Sequence, residues 1–211
     1  MDTIALASIT ALLIAAAVLL VLAMKKRRTA MTEDLDAGRF QEVLDAAAPA
    51  GERDRDQLLA IAVAAKHLCD FDAARAALAE ILRDDPRDGE AWLELGLVSA
   101  YRGDLDTAAK AFDRVGASRS DLLESLTLHR AWTKLRAGDD RGAAVLFSEI
   151  EIPLETKLRD DMGEGDPAFA EWFLQAGHLW RSRGDDERAR WALGAARDAA
   201  PASRLIADLG H

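Results

Sequence analysis

Four alanines set a register. Ala74 is followed 34 residues later by Ala108, 35 further on by Ala143 and 46 further on by Ala189, and each has a larger apolar residue four positions downstream: Leu78, Phe112, Phe147 and Leu193. A recurrence of this length marks stacked helical pairs. One pair cannot bury its own apolar face, so copies stack into a solenoid rather than a single rounded core. The small side chains are explained by helix contact: Ala62, Gly96, Ala131 or Gly177 on the first helix of a pair lets the alanine of the second lie close, where larger groups overpack. Between the two helices comes a short polar turn, at Gly38-Arg39, Cys69-Asp70, Gly103-Asp104, Gly138-Asp139 and Gly184-Asp185. Glycine suits a left-handed helix end and aspartate caps the helix that follows. The reading is an all-α chain in which Cys69 stands where other copies have glycine.

The best copy carries Trp92, Leu95, Gly96, Ala108 and Phe112, matching Trp-x2-Leu-Gly followed by Ala-x3-Phe, with Ser99 where an aromatic is common. The preceding copy offers Leu58, Ile61, Ala62, Ala74, Leu78 and a closing Pro86, and the last offers Phe173, Ala176, Gly177, Trp180, Ala189, Leu193 and Pro201. On these residues the chain resembles the tetratricopeptide repeat (TPR) family. The resemblance covers about residues 32–201 and implies a helical-hairpin solenoid over 32–209, with a partial repeat at 32–49 and repeats at about 55–88, 89–122, 124–157 and 170–203. In the third, Pro153 falls early, and about 12 extra residues around Lys157 to Asp166 read as a flexible insertion.

Ahead of the repeats, Thr3 to Met24 is 22 residues without a charge. At about 1.5 Å per residue a helix of that length reaches roughly 33 Å, enough to cross a bilayer core. Residues 3–24 therefore read as a transmembrane helix and 25–31 as a basic juxtamembrane linker. Lys25, Lys26, Arg27 and Arg28 follow the span, and only Asp2 and the terminal amine precede it. The positive-inside rule then puts the amino terminus outside and the repeats in the cytoplasm. A cleaved signal peptide wants its basic residues on the other side. The four cations can also bind anionic headgroups. A composition rich in Ala, Arg and Asp and free of asparagine points to a bacterial chain of high genomic GC content, hence to the inner (cytoplasmic) membrane.

Without residues 1–28, which hold four basic groups and one acidic, the chain carries 23 basic and 36 acidic residues, a net charge of −13. That balance argues against nucleic acid, whose phosphates need neutralising. A single cysteine excludes an internal disulfide and a cysteine-rich zinc site. His67, His129, His178 and His211 lack ligand spacing and read as surface or groove residues. A calcium loop beginning at Asp160 fails at Met162, where an oxygen ligand is wanted. Paired aspartates such as Asp139-Asp140 fall at turns, where capping explains them, and no phosphate loop or nucleophile elbow is present. No catalytic residue, metal or cofactor is expected.

What the resemblance implies is partner binding. In the family the first helix of each pair lines a concave groove, and here one helical face carries Leu59, Val63 and Lys66; Leu93, Leu97 and Tyr101; Leu128, Trp132 and Arg136; and Leu174, His178 and Arg181. The expected groove has leucines and Trp132 on its floor and cations at one edge. It suits a protein segment with acidic residues beside apolar ones. Chaperone-binding members clamp a terminal carboxylate with asparagines, which this chain lacks. Mitochondrial import receptors and lipopolysaccharide assembly protein B share the plan of anchor plus repeats, the latter with a four-cysteine module absent here. The expectation is a membrane-anchored adaptor or scaffold aiding assembly or regulation of a membrane-associated complex. The alternative is a structural subunit held mainly by its transmembrane helix.

Overall fold

The computed structural model describes residues 29–49, 51–115, 123–161 and 169–210, and among them there are helices and no strand. The span expected over 3–24 and the cations Lys25, Lys26, Arg27 and Arg28 lie outside the described residues. Among those described, no helix is long and apolar enough to cross a membrane. The linker expected over 25–31 is already helical from residue 29.

Helix α1 (29–36) and α2 (Phe40–Asp45) form a short leading pair. Four longer pairs follow: α3 (Arg55–His67) with α4 (Phe71–Asp84), α5 (Gly89–Arg102) with α6 (Leu105–Arg114), α7 (Leu123–Arg136) with α8 (Asp140–Asp161), and α9 (Ala170–Ser182) with α10 (Asp186–Ala199). A last short helix, α11 (Arg204–Leu209), closes the chain. Each of the four longer pairs packs most heavily on itself, and α3, α5, α7 and α9 then line up along the inner side. The array curls so far that α11 rests on both α3 and α9.

The turns explain why the pairs fold where they do. Gly38, Gly103, Gly138 and Gly184 have φ of 68°, 92°, 76° and 80°, and Cys69 takes the same left-handed conformation at 60°. The aspartate after four of these turns caps the next helix, its side chain accepting from the backbone N–H of Ala73, Thr107, Gly142 or Arg188. Asp54 and Gln57 add a reciprocal capping box at α3. Between copies, Trp92 donates from Nε1 to the Pro86 carbonyl at 2.9 Å, and Arg55 bonds to Asp88 and Glu90 of the next pair.

The register alanines are fully buried, and so are the side chains four residues on. A β-carbon on Gly96 would overlap the Phe112 ring, and one on Gly177 would come within 2.7 Å of Leu193 Cγ. Small size is a packing requirement at both positions.

Residues 157–161, expected to begin a flexible insertion, are instead helical. Pro153 sits inside α8, which runs on to Asp161. Proline there leaves the Glu149 carbonyl without its helical donor, a cost of about 3 kcal/mol. Continuing the helix buries Leu154 and Leu158 on the face of Ile150, at roughly 1.5–3 kcal/mol per leucine, which offsets it. Past the proline, Lys157 lies 4.7 Å from the centre of the Trp172 ring and Arg159 4.5 Å from that of Trp191, so the extension grips the last pair.

Two stability measurements test this account. Gly96→Ala should lower the midpoint of thermal unfolding despite alanine's better helix propensity, because overpacking costs about 1–3 kcal/mol against a gain of about 1. Cys69→Gly should raise it, since a side chain in the left-handed region costs about 1–2 kcal/mol, offset in part by the greater freedom of glycine in the unfolded chain.

Candidate functional site

The inner face is where the chain concentrates its polar chemistry. Lys66, near the end of α3, is 1% exposed, and its Nζ lies 2.6 Å from Glu94 Oε2 on α5 and 2.6 Å from Glu171 Oε1 on α9. His67 Nε2 is 3.3 Å from the same Glu171 oxygen, and its Nδ1 is 2.9 Å from Ser203 Oγ. On the other side of Glu171, Gln175 donates from Nε2 to the Tyr101 hydroxyl at 2.8 Å, and His129 Nδ1 meets Gln175 Oε1 at 2.7 Å. The Tyr101 hydroxyl in turn bonds the Glu171 carboxylate, so one connected network joins α3, α5, α7, α9 and the start of α11.

Its electrostatics follow from burial in the company of opposite charges. Burial works against the Lys66 ammonium, but Glu171 and Glu94 outweigh it and hold the group protonated. Burial likewise opposes ionisation of Glu171, and Lys66 and His67 overcome it, so the carboxyl stays far below its usual range. Burial, and secondarily the Glu171 charge, pushes the Tyr101 phenol well up. His129 goes the other way: burial drives it down to about 4, against the hydrogen bond it donates to Gln175.

The expected groove floor is closed. Leu93, Leu97, Tyr101, Leu128, Trp132 and Leu174 are all buried, as is Lys66. They pack against one another and present no open floor: the Tyr101 and Trp132 rings stand 4.8 Å apart, and the array's curl brings their helices together. The expected cationic edge is divided. Lys66 is spent on the two carboxylates, Arg136 is exposed with its guanidinium 5.1 Å from the centre of the Trp132 ring, and Arg181 is exposed. His178 is half-buried, donating from Nε2 to the Leu209 carbonyl at 2.8 Å. Leu59 and Val63 keep partial exposure.

His67 and His129, expected at the surface or in a groove, are buried, because each hydrogen-bonds within the network. Sequence reasoning also passed over Glu94, Glu171, Gln175 and Ser203. The signal for three of them was present: Glu171 and Gln175 share the face of Leu174 and His178, and Glu94 that of Leu97 and Tyr101, so polar residues interrupt an apolar stripe. Ser203, His67 and Glu171 follow one another as nucleophile, base and acid would. The Ser203 hydroxyl, however, is 2% exposed and accepts from the Ile206 backbone N–H as the cap of α11, which makes it a clasp. Cys69 Sγ, 3.8 Å from Asp208 Oδ2, is likewise a contact of α11, and burial with the Asp208 charge raises its thiol pKa. No group of described residues could hold a metal ion.

Beside the network lies a cavity of about 230 Å³, lined by Leu35, Asp36, Phe40, Val63, Lys66, His67, Glu94 and Glu171. The leading pair forms its outer wall. Glu171 Oε2 is buried without a hydrogen-bond partner.

Among solved structures, two named MamA, from MSR-1 and AMB-1, are similar to this chain. The first is 17% identical with a TM-score of 0.50 and covers 83% of this chain and 95% of its own. The second is 18% identical with a TM-score of 0.50 and covers 89% and 97%. The fold is a TPR-like helical solenoid. At such identity the likeness concerns this solenoid's fold alone. No protein-family profile matches the chain, and no curated protein does.

Acid should weaken the solenoid through His129. Its unfolded value is near 6.5 and its folded value about 4, so between these the unfolded chain binds the extra proton and stability falls as pH drops through that window, by about 3 kcal/mol in all. Denaturant midpoints at pH 7.5 and 4.5 should show this loss, and His129→Gln, which keeps a donor for Gln175, should remove most of it.

Proposed function

We propose that this chain is an adaptor anchored in the bacterial inner membrane by one transmembrane helix, residues 3–24, with its TPR-like solenoid in the cytoplasm. It binds a protein partner and aids assembly or regulation of a membrane-associated complex. The observation that carries this reading is the joining of a helical repeat array, an architecture whose extended surface suits protein ligands, to an uncharged 22-residue segment followed by Lys25, Lys26, Arg27 and Arg28. Both the acidic balance of the repeats and the absence of a phosphate loop support a protein ligand over a nucleic acid or nucleotide.

Burial of the groove floor moves the proposed contact to its rim. Leu97, Trp132 and Leu128 hold the inner face in shape, and the partner meets the part of the expected set that keeps exposed surface: Leu59, Val63, Arg136, His178 and Arg181. With so little chain between Arg28 and α1, the rim works close to the bilayer. Tethering raises effective concentration only for sites within reach, so the partner is itself at the membrane.

The test combines topology with capture. Protease added to sealed inside-out vesicles should digest the repeats, and protease added to intact spheroplasts should spare them. Crosslinking in the same membranes should recover a membrane protein, with at least ten-fold less recovered when Val63→Asp and Arg136→Glu are combined in a protein whose thermal midpoint is unchanged. Repeats protected inside inside-out vesicles, or capture indifferent to the double variant, would overturn the reading.

A further inference from the structure

We infer that α11 is the chain's own stand-in for its partner. The partner presents a short helix of the same chemistry, a hydroxyl cap followed by two adjacent aliphatic side chains and a carboxylate, and displaces α11 from its seat. This rests on the adaptor reading above and names the segment that the partner offers.

The run Ser203-Arg204-Leu205-Ile206-Ala207-Asp208 sets an acidic residue beside apolar ones, the pattern that the inner helical face was expected to grip. It rests on α3 and α9, the inner helices of the first complete pair and the last. Its contacts there are those of a bound peptide. Ser203 Oγ meets His67 Nδ1 at 2.9 Å, Leu205 and Ile206 are each 1% exposed, and Asp208 Oδ2 lies 3.8 Å from Cys69 Sγ. The Leu209 carbonyl accepts from His178 Nε2 at 2.8 Å. His178 belongs to the rim assigned to the partner, so α11 and the partner contend for one residue.

The seat does not depend on α11 for its shape. His67 is also held by the Phe40 ring, stacked at 4.2 Å, and by Glu171 at 3.3 Å, while Cys69 is fixed by the turn between α3 and α4. The occupant is held more lightly. Its six residues fall well short of the roughly 12–15 that an isolated helix needs in water, so its helicity comes from the seat. Between α10 and α11 a cavity of about 310 Å³, lined by Arg197, Ala200, Pro201, Ser203, Ile206 and Ala207, leaves that side of α11 short of neighbours. A built seat with a loosely packed occupant is what an exchange of ligand requires. Only Ala200, Pro201 and Ala202 join α10 to the cap of α11, and a segment on so short a tether competes at an effective concentration on the order of millimolar. A free copy of the segment therefore binds well only when α11 is kept from sitting.

The experiment uses the full chain in detergent micelles and the fluorescence anisotropy of a labelled peptide, acetyl-Ser-Arg-Leu-Ile-Ala-Asp-Leu-Gly-amide. Leu205→Asp combined with Ile206→Asp unseats α11, and this variant should bind the peptide at least ten-fold more tightly than the unaltered chain. Asp208→Cys supplies the locked state, because it sets a second thiol beside Cys69, the one native cysteine. Oxidised, it should bind the peptide at least ten-fold more weakly than when reduced. These two forms decide the matter alone if the double variant does not fold. Thiols that fail to join, peptide binding unchanged by oxidation, no binding to any form, or equal binding of a peptide with aspartates for its Leu-Ile pair would each overturn the inference. In the membrane crosslinking above, oxidised Asp208→Cys should recover at least ten-fold less partner than the reduced form. The two readings fail separately. If capture is the same from both forms, the stand-in is wrong and the adaptor stands; if the peptide results hold but the repeats lie outside the cytoplasm, the adaptor is wrong and the stand-in remains.

Discussion

The arrangement of this solenoid turns on one buried contact, the Lys66 ammonium held between Glu94 and Glu171. These residues come from three different helical pairs, so a single nitrogen fixes the distance between the first complete pair, the second and the last. A buried ion pair contributes little net stability over a well-packed apolar substitute, yet losing one partner typically costs about 3–5 kcal/mol. Such a pair is therefore better suited to enforcing register than to adding strength. In a repeat stack, where many slightly different curvatures bury similar areas, a demand that two carboxylates reach one cation selects a single curvature.

Around that contact the apolar face is consumed. Tyr101, Trp132 and Leu174, which on an open solenoid would be offered to a partner, are instead opposed to one another. Among the described residues, what faces outward is consequently mainly polar, with Leu123, Val145 and Ile152 as the large apolar exceptions. A recognition surface of that kind favours association rate and charge selection over deep apolar insertion.

Much of the fold was legible because it depends on local rules that repeat. The alanine register, the left-handed turns at Gly103 or Gly138 and the capping aspartates each follow from contacts within one helical pair, and Cys69 could be read as a turn residue by its place in the series. What was not legible depends on how far the stack curls. The face carrying Leu59, Val63 and Lys66 was identified as one side of its helix, but no spacing in the sequence says whether that side meets water or another pair. Lys66 looked like a groove cation because its partner Glu171 lies 105 residues away along the chain. Pro153 misled for a similar reason, since the leucines that carry α8 past it gain their value from helices the local pattern does not contain.

The clasp made by α11 changes the kind of object this repeat protein is. In an open stack each copy meets only its neighbours and structure can spread from any point along it. Here Ser203 meets His67 across 136 residues of sequence, and contacts of such separation are slow to form because a long loop must close first. During synthesis the earlier pairs emerge and pair up locally, but the curvature that buries Lys66 cannot be locked until α11 has left the ribosome. Until then the inner face, with its tryptophan and leucines, stands open to whatever lies nearby.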